Sequence, residues 1–194
     1  MSHGPAPAIL QRGYIAAGVF IFLFILSFLY ETQRDGLTSF INGNVGKAVR
    51  PVGSYYDVVR VVDGDTLVVD YNGVNEKVRL IGINTPETVD PRRAVECFGK
   101  EASTRLKELA EGKRVLLERD PTQDARDTYD RILAYVYLED GQMLNRKMIA
   151  DGYAYEYTYM TPYAYQQEFK ELQTLARTSA RGLWSPTTCN GSKK

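Results

Sequence analysis

The chain has 194 residues, with 24 Lys+Arg against 24 Asp+Glu, one histidine, two cysteines and 44% apolar residues, which is room for one domain of ordinary size plus an appendage. The lone His3 sits at the extreme N-terminus, so Ser-His-Asp and Cys-His triads, two-histidine zinc sites and paired-imidazole phosphodiester cleavage all lack their key group. Two cysteines are too few for a four-thiolate zinc site or a disulfide-dense framework, which leaves chemistry to carboxylates, guanidinium groups, tyrosines and a metal.

A short N-terminal tail, 1–12, precedes the uncharged run YIAAGVFIFLFILSFLY from Tyr14 to Tyr30, which Gly13 extends by one residue. As a helix, 13–30 would be about 27 Å long, close to the ~30 Å hydrocarbon core of a bilayer. A secretory h-region is shorter and is followed by a small-x-small cleavage site, which LSFLYETQ does not offer. Tyr14 and Tyr30 suit the two headgroup belts. The expectation is one transmembrane anchor. Arg12 and the terminal amine on one side, against Glu31, Arg34 and Asp35 on the other, keep the N-terminus cytoplasmic and place the C-terminal domain on the extracytoplasmic side. Residues 31–54, with Gly36, Gly43, Gly46, Gly53 and Pro51, read as a membrane-proximal linker.

The pattern of a packed domain runs over 55–189, followed by a polar tail, 190–194, expected to fray. YYDVVRVV, TLVVDY and KVRLIGI read as three strands, KRVLLER and RILAYVYL as two more, and YAYEY as a short one. Helical spacing places Phe98, Ala102, Leu106 and Leu109 on one face, then Leu144, Met148 and Ile149, then Phe169, Leu172, Leu175 and Ala176. Three strands, helix, two strands, helix, short strand and helix suit a small twisted antiparallel barrel packed against helices, an α+β domain. The alternating tyrosines at 153, 155, 157 and 159 would share one sheet face if that segment is extended.

D-G-D-T at 63–66 reads first as a tight turn, as does N-T-P-E at 84–87 after a buried strand. Together they bring acidic groups, an amide oxygen and backbone carbonyls to neighbouring strand ends, oxygen-only ligands that suit a hard cation such as Ca²⁺. Arg131, before the strand ILAYVYL, has Asp127 and Asp130 as candidate ion-pair partners.

VVDGDTLVV, KVRLIGINTPE, FGKEA, DTYDRILAYVY, LNRKMIADGYA and GLWS, in this order, resemble the staphylococcal-nuclease-like (thermonuclease) family of calcium-dependent nucleases. The resemblance implies a five-stranded OB-type β-barrel with three packed helices, here preceded by the anchor. It also implies hydrolysis of phosphodiester bonds in DNA and RNA to leave a 3′-phosphate. Arg79, Glu87 and Arg131 fall on the family's catalytic arginine, glutamate and second arginine. Asp65 and the Thr85 carbonyl fall on its metal ligands, and Asn84 stands where the family has a second ligating aspartate. Tyr129 matches a nucleotide-contacting tyrosine, and Tyr157 and Tyr159 the pair lining the base and phosphate pocket.

The metal and two guanidinium groups would neutralise the charge developing on phosphorus, and Glu87 would activate water. The domain 55–189 carries 18 basic and 22 acidic residues, no footprint for a general nucleic-acid coat protein. The rival expectation is a tethered, non-catalytic OB-fold module that binds single-stranded nucleic acid or a protein ligand. For the enzyme, no protein partner is expected. Cys97 and Cys189 are either unrelated thiols or one bridge, and export favours the bridge.

Overall fold

Strands Tyr55–Val61, Thr66–Tyr71, Val74–Leu80, Ile132–Leu138 and Arg114–Glu118, neighbours in that order, form a closed barrel in the computed structural model, which describes residues 53–88 and 95–192. The chain divides into two units, Met1–Ala48 and Val49–Lys194, and the described residues all fall in the second. The expected anchor 13–30 lies outside the described residues; among those described, no helix is long and apolar enough to cross a membrane. The elements run β1 Tyr55–Val61, β2 Thr66–Tyr71, β3 Val74–Leu80, β4 Ile83–Asn84, α1 Gly99–Ala110, β5 Arg114–Glu118, β6 Ile132–Leu138, α2 Leu144–Ala150, β7 Tyr155–Glu156 and α3 Gln166–Thr178, with a 3₁₀ turn at Gly182–Trp184.

The expected antiparallel barrel needs one correction. Strands of alternating direction close a ring only in even number, so a five-stranded barrel must contain a parallel pair. That pair is β3 with β6, in register from Val78 beside Ile132 to Leu80 beside Ala134. It is reached through a crossover that includes α1, as parallel neighbours require.

KVRLIGI, read as one strand, is split in two. The β2–β3 hairpin turns at Asn72 and Gly73, both at positive φ, and β3 starts at Val74. It stops at Leu80 because Gly82 has φ 77° and sits against rings: a Cβ there would lie 2.6 Å from Tyr163 and 2.9 Å from Phe169. Past that break β4 leaves the barrel and pairs with β7, Ile83 with Glu156 and Asn84 with Tyr155. YAYEY contributes only the two residues of β7, so the segment is not one extended strand and its rings meet different partners. Tyr155 meets Trp184 edge-on, whereas Tyr157 and Tyr159 tilt against each other outside.

The core fills the barrel and the space under the helices. Leu67, Val69, Val78 and Val115 are fully buried within it, and α1 covers it with Ala102, Leu106 and Leu109, as its spacing predicts. Each fully buried aliphatic side chain contributes about 1.5–3 kcal/mol. Leu175 is the exception on α3, being 41% exposed while Phe169 and Ala176 are buried. It lies roughly 120° round the helix from Phe169, at the rim of a stripe too narrow to include it. The tail does not fray before Ser192: Gly191 N–H donates to the Leu183 carbonyl at 2.8 Å and Ser192 N–H to that of Cys189 at 2.9 Å.

Candidate active site

The β1–β2 connection is the D-G-D-T turn, closed by the Asp65 N–H donating to Asp63 Oδ1 at 3.0 Å. Gly64 lets the turn press against its neighbours, since a Cβ would come within 2.8 Å of the Thr85 side chain and 2.9 Å of Ala102. The end of β3 is stitched to the turn by the Leu80 N–H on the Asp65 carbonyl at 3.0 Å.

Asp65, 6% exposed, is the hub of the site. Its Oδ1 accepts from the Thr66 hydroxyl at 3.0 Å, and its Oδ2 accepts from the Thr85 N–H at 2.9 Å and the Thr85 hydroxyl at 3.2 Å. Arg79, opposite Thr66 in the β2–β3 register, brings Nη2 to 3.1 Å from Asp65 Oδ2. The same nitrogen donates to Asn84 Oδ1 at 3.4 Å, while Nη1 donates to the Leu80 carbonyl at 2.8 Å. One guanidinium nitrogen is thus the common partner of two oxygens, one from the β1–β2 turn and one from β4. Asp63 is pushed up to about 7 by burial first and then by the Asp65 charge, with the Asp65 N–H and Arg79 opposing.

Arg131 enters from the segment before β6. The parallel register sets Arg79 beside Leu133, two residues along from Arg131. Arg131 Nη1 reaches the Thr66 hydroxyl at 3.4 Å, Nε donates to Asp127 Oδ2 at 2.7 Å, and its N–H donates to Asp127 Oδ1 at 3.0 Å. Asp127 is therefore its ion-pair partner, and burial, which alone would raise that carboxyl, is outweighed by the Arg131 bonds that hold it below the usual carboxylate range. The Arg131 guanidinium also lies over the Tyr129 ring, 5.4 Å from its centre, with Tyr129 80% exposed.

Asp65, Arg79, Asn84, Thr85 and Arg131 are thus joined in one network. Glu87 follows two residues after Thr85 on the same loop, half-buried, its Oε1 accepting the Thr88 N–H at 2.8 Å. Tyr157 is tied beside β4 by its N–H on the Gly82 carbonyl at 3.0 Å, and Tyr157 and Tyr159 are exposed with ring centres 6.4 Å apart. Sequence reasoning missed two supports. Arg126 grips Glu76 of β3 with two 2.9 Å bonds and holds the Asp130 carbonyl at 2.8 Å, which fixes the loop carrying Tyr129. Glu96 braces the Glu87 peptide. Neither carries a local signal, because each partner lies on a separate element or far end of a loop.

Among the described residues no three Asp, Glu, His or Cys side chains gather into a metal-holding group. The donor set is all oxygen, with Asp65 and Asn84 oxygens converging on a cationic nitrogen, and it suits a hard divalent cation. Two guanidinium groups held by carboxylates, Arg79 by Asp65 and Arg131 by Asp127, with the exposed Tyr129 ring against the second, form an arrangement whose N–H donors suit an anion.

Residues 77–186 match the staphylococcal nuclease homologue family, and the chain belongs to it. The match begins within β3, so Asp65 precedes it. The chain is 40% identical over 130 residues to a thermonuclease of Staphylococcus hyicus, covering 67% of this chain and 75% of that one. It is likewise 40% identical over 132 residues to a thermonuclease of Staphylococcus intermedius, covering 68% and 77%. Endonuclease YncB of Bacillus subtilis is 38% identical over 127 residues, 65% of this chain and 59% of that protein.

Proposed function

We propose that the chain is a calcium-dependent nuclease hydrolysing phosphodiester bonds of DNA and RNA, with Arg79, Arg131 and Glu87 catalytic. Its similarity to thermonucleases and an endonuclease supports the phosphodiester-hydrolysing activity. The observation that carries the reading of the site is the Asp65 hub, which ties Arg79 directly and Arg131 through Thr66 to one strand-end cluster.

Asp65, Asn84 and the Thr85 carbonyl would hold the ion, and bound calcium would supply a Lewis acid against a phosphoryl oxygen. Arg79, anchored by Asp65 and the Leu80 carbonyl, and Arg131, anchored by Asp127, present N–H donors to the remaining oxygens without reorganising during attack. Glu87 orients a water and takes its proton at the carboxylate, the 5′ oxygen departs and a 3′-phosphate remains. Tyr129, Tyr157 and Tyr159 offer π-faces to bases, which suits broad specificity. Segment 13–30 anchors the domain on the extracytoplasmic side; its uncharged run and a disulfide in the domain support this reading.

The test is cleavage of single-stranded DNA and RNA by the full-length protein, with calcium and with chelator. Activity only with calcium is expected, and activity that survives excess chelator refutes the metal requirement. Glu87→Ala should lower turnover by about 100-fold, the usual size of a general-base effect.

A further inference from the structure

Glu87 follows Thr85 by two residues, and its backbone is braced by residue 96. The Glu96 N–H donates to the Glu87 carbonyl at 2.9 Å, and the Glu87 N–H donates to Glu96 Oε2 at 3.1 Å, so both sides of residue 87 are held by residue 96. Gly99, the first residue of α1, presses on the same stretch. A Cβ there would lie 2.6 Å from Thr88 Cγ2, 3.0 Å from the Pro86 oxygen and 3.1 Å from the Glu87 oxygen.

Cys97 lies between Glu96 and Gly99 and is bonded to Cys189, 92 residues further along the chain. The Cys189 segment is itself fixed. Gly191 N–H donates to Leu183 at 2.8 Å, Leu183 N–H to Gly152 at 2.9 Å, and Asn190 N–H to Ser185 at 3.0 Å. A covalent path thus runs from the C-terminal segment into the residue that braces Glu87. Asp65 and Arg79 do not depend on it, since their partners lie on β2, β3, β4 and the loop start at Thr85.

We propose that Glu96 is a positioning residue for Glu87, that the Cys97–Cys189 disulfide holds Glu96 in place, and that turnover therefore depends on the oxidation state of this pair. The inference rests on the assignment of Glu87 above. A dithiol breaks the S–S bond by exchange: two electrons and two protons pass to the two sulfurs, which become thiols, and the dithiol leaves as its own disulfide. Residue 97 then loses its covalent tether, and the Glu87 carboxylate gains freedom at the point where attack geometry is most demanding. A misplacement of roughly 1 Å can cost as much as about 100-fold in rate.

The experiment measures kcat and KM of the full-length protein on a single-stranded oligodeoxynucleotide at saturating calcium. The species compared are the oxidised protein, the protein reduced by dithiol with both thiols counted by alkylation, Glu96→Gln, Glu96→Ala and Glu87→Ala. Reduction and Glu96→Ala should each lower kcat about tenfold with KM within about twofold, because the binding groups stay in place. Glu96→Gln keeps an oxygen for the Glu87 N–H and should restore most of the rate. Glu87→Ala should be slow and indifferent to reductant.

Unchanged kcat on full reduction and in Glu96→Ala, with Glu87→Ala slow, overturns the brace and leaves the Glu87 assignment standing. Unchanged kcat in Glu87→Ala overturns that assignment instead. Equal losses in Glu96→Gln and Glu96→Ala refute positioning by the hydrogen bond. Loss of the far-UV spectrum of the fold on reduction overturns the redox part of the proposal, because the bridge then holds the whole fold rather than the Glu96 brace, and Glu96→Ala with the disulfide intact decides the positioning part.

Discussion

Asp65 and Asp120 are both buried, 6% and 4% exposed, and each accepts from four donors, yet they serve different ends. Asp120 takes the Thr122 N–H at 2.8 Å, the Thr122 hydroxyl at 2.7 Å, the Ala164 N–H at 2.7 Å and the Tyr135 hydroxyl, all neutral groups. Burial alone would raise its carboxyl, but these bonds together outweigh burial and hold it below the usual carboxylate range. Tyr135, in turn, is pushed up by burial and by its bond to Asp120. The node joins β6, the loop after β5 and the start of α3, and it is closed on itself. Asp65 instead has a cation, Arg79, among its four partners and stands beside a second carboxylate, Asp63. Neutral donors saturate Asp120 into a structural strut, whereas like and unlike charges crowd together around Asp65.

The largest expected effect breaks the strut. Asp120→Ala leaves the Tyr135 hydroxyl in a dry environment and removes the acceptor of the Ala164 N–H, and should cost about 3 kcal/mol in urea unfolding at neutral pH, with the activity per folded molecule preserved. Loss of activity without loss of stability would reverse the roles assigned to the two aspartates.

Acid should erase that difference. Because the folded carboxyl of Asp120 is depressed, its contribution is complete above the unfolded value of about 3.9 and is lost as pH falls through the folded value. The gap in unfolding midpoint between parent and Asp120→Ala should therefore narrow below about pH 4. A gap constant down to pH 2 would show that the carboxylate charge is not what the donors stabilise.

The smallest effect sharpens the other side. Asn84 donates no charge to the cluster, so Asn84→Asp, nearly unchanged in volume, should lower the calcium concentration for half-maximal activity by about tenfold or less, roughly 1.4 kcal/mol. An unmoved midpoint would remove residue 84 from the ligand set.

The sequence by itself determined the elements and their order, because period and punctuation are local: TLVVDY, the Asn72-Gly73 turn and the Ala102–Leu106–Leu109 face specify themselves within a few residues. It also held Asp65, Asn84 and Thr85, which the structure brings together, within the motifs D-G-D-T and N-T-P-E, since their spacing is written in the chain. Only the tertiary structure decided which strands pair in parallel, because ring closure with five strands is a global condition. Only packing against Tyr163 and Phe169 split β3 from β4 at Gly82. The contacts of Thr66 with Arg131 and of Glu96 with Glu87 came from the same source, for a hydrogen bond needs two atoms within about 3 Å and sequence distance does not encode that.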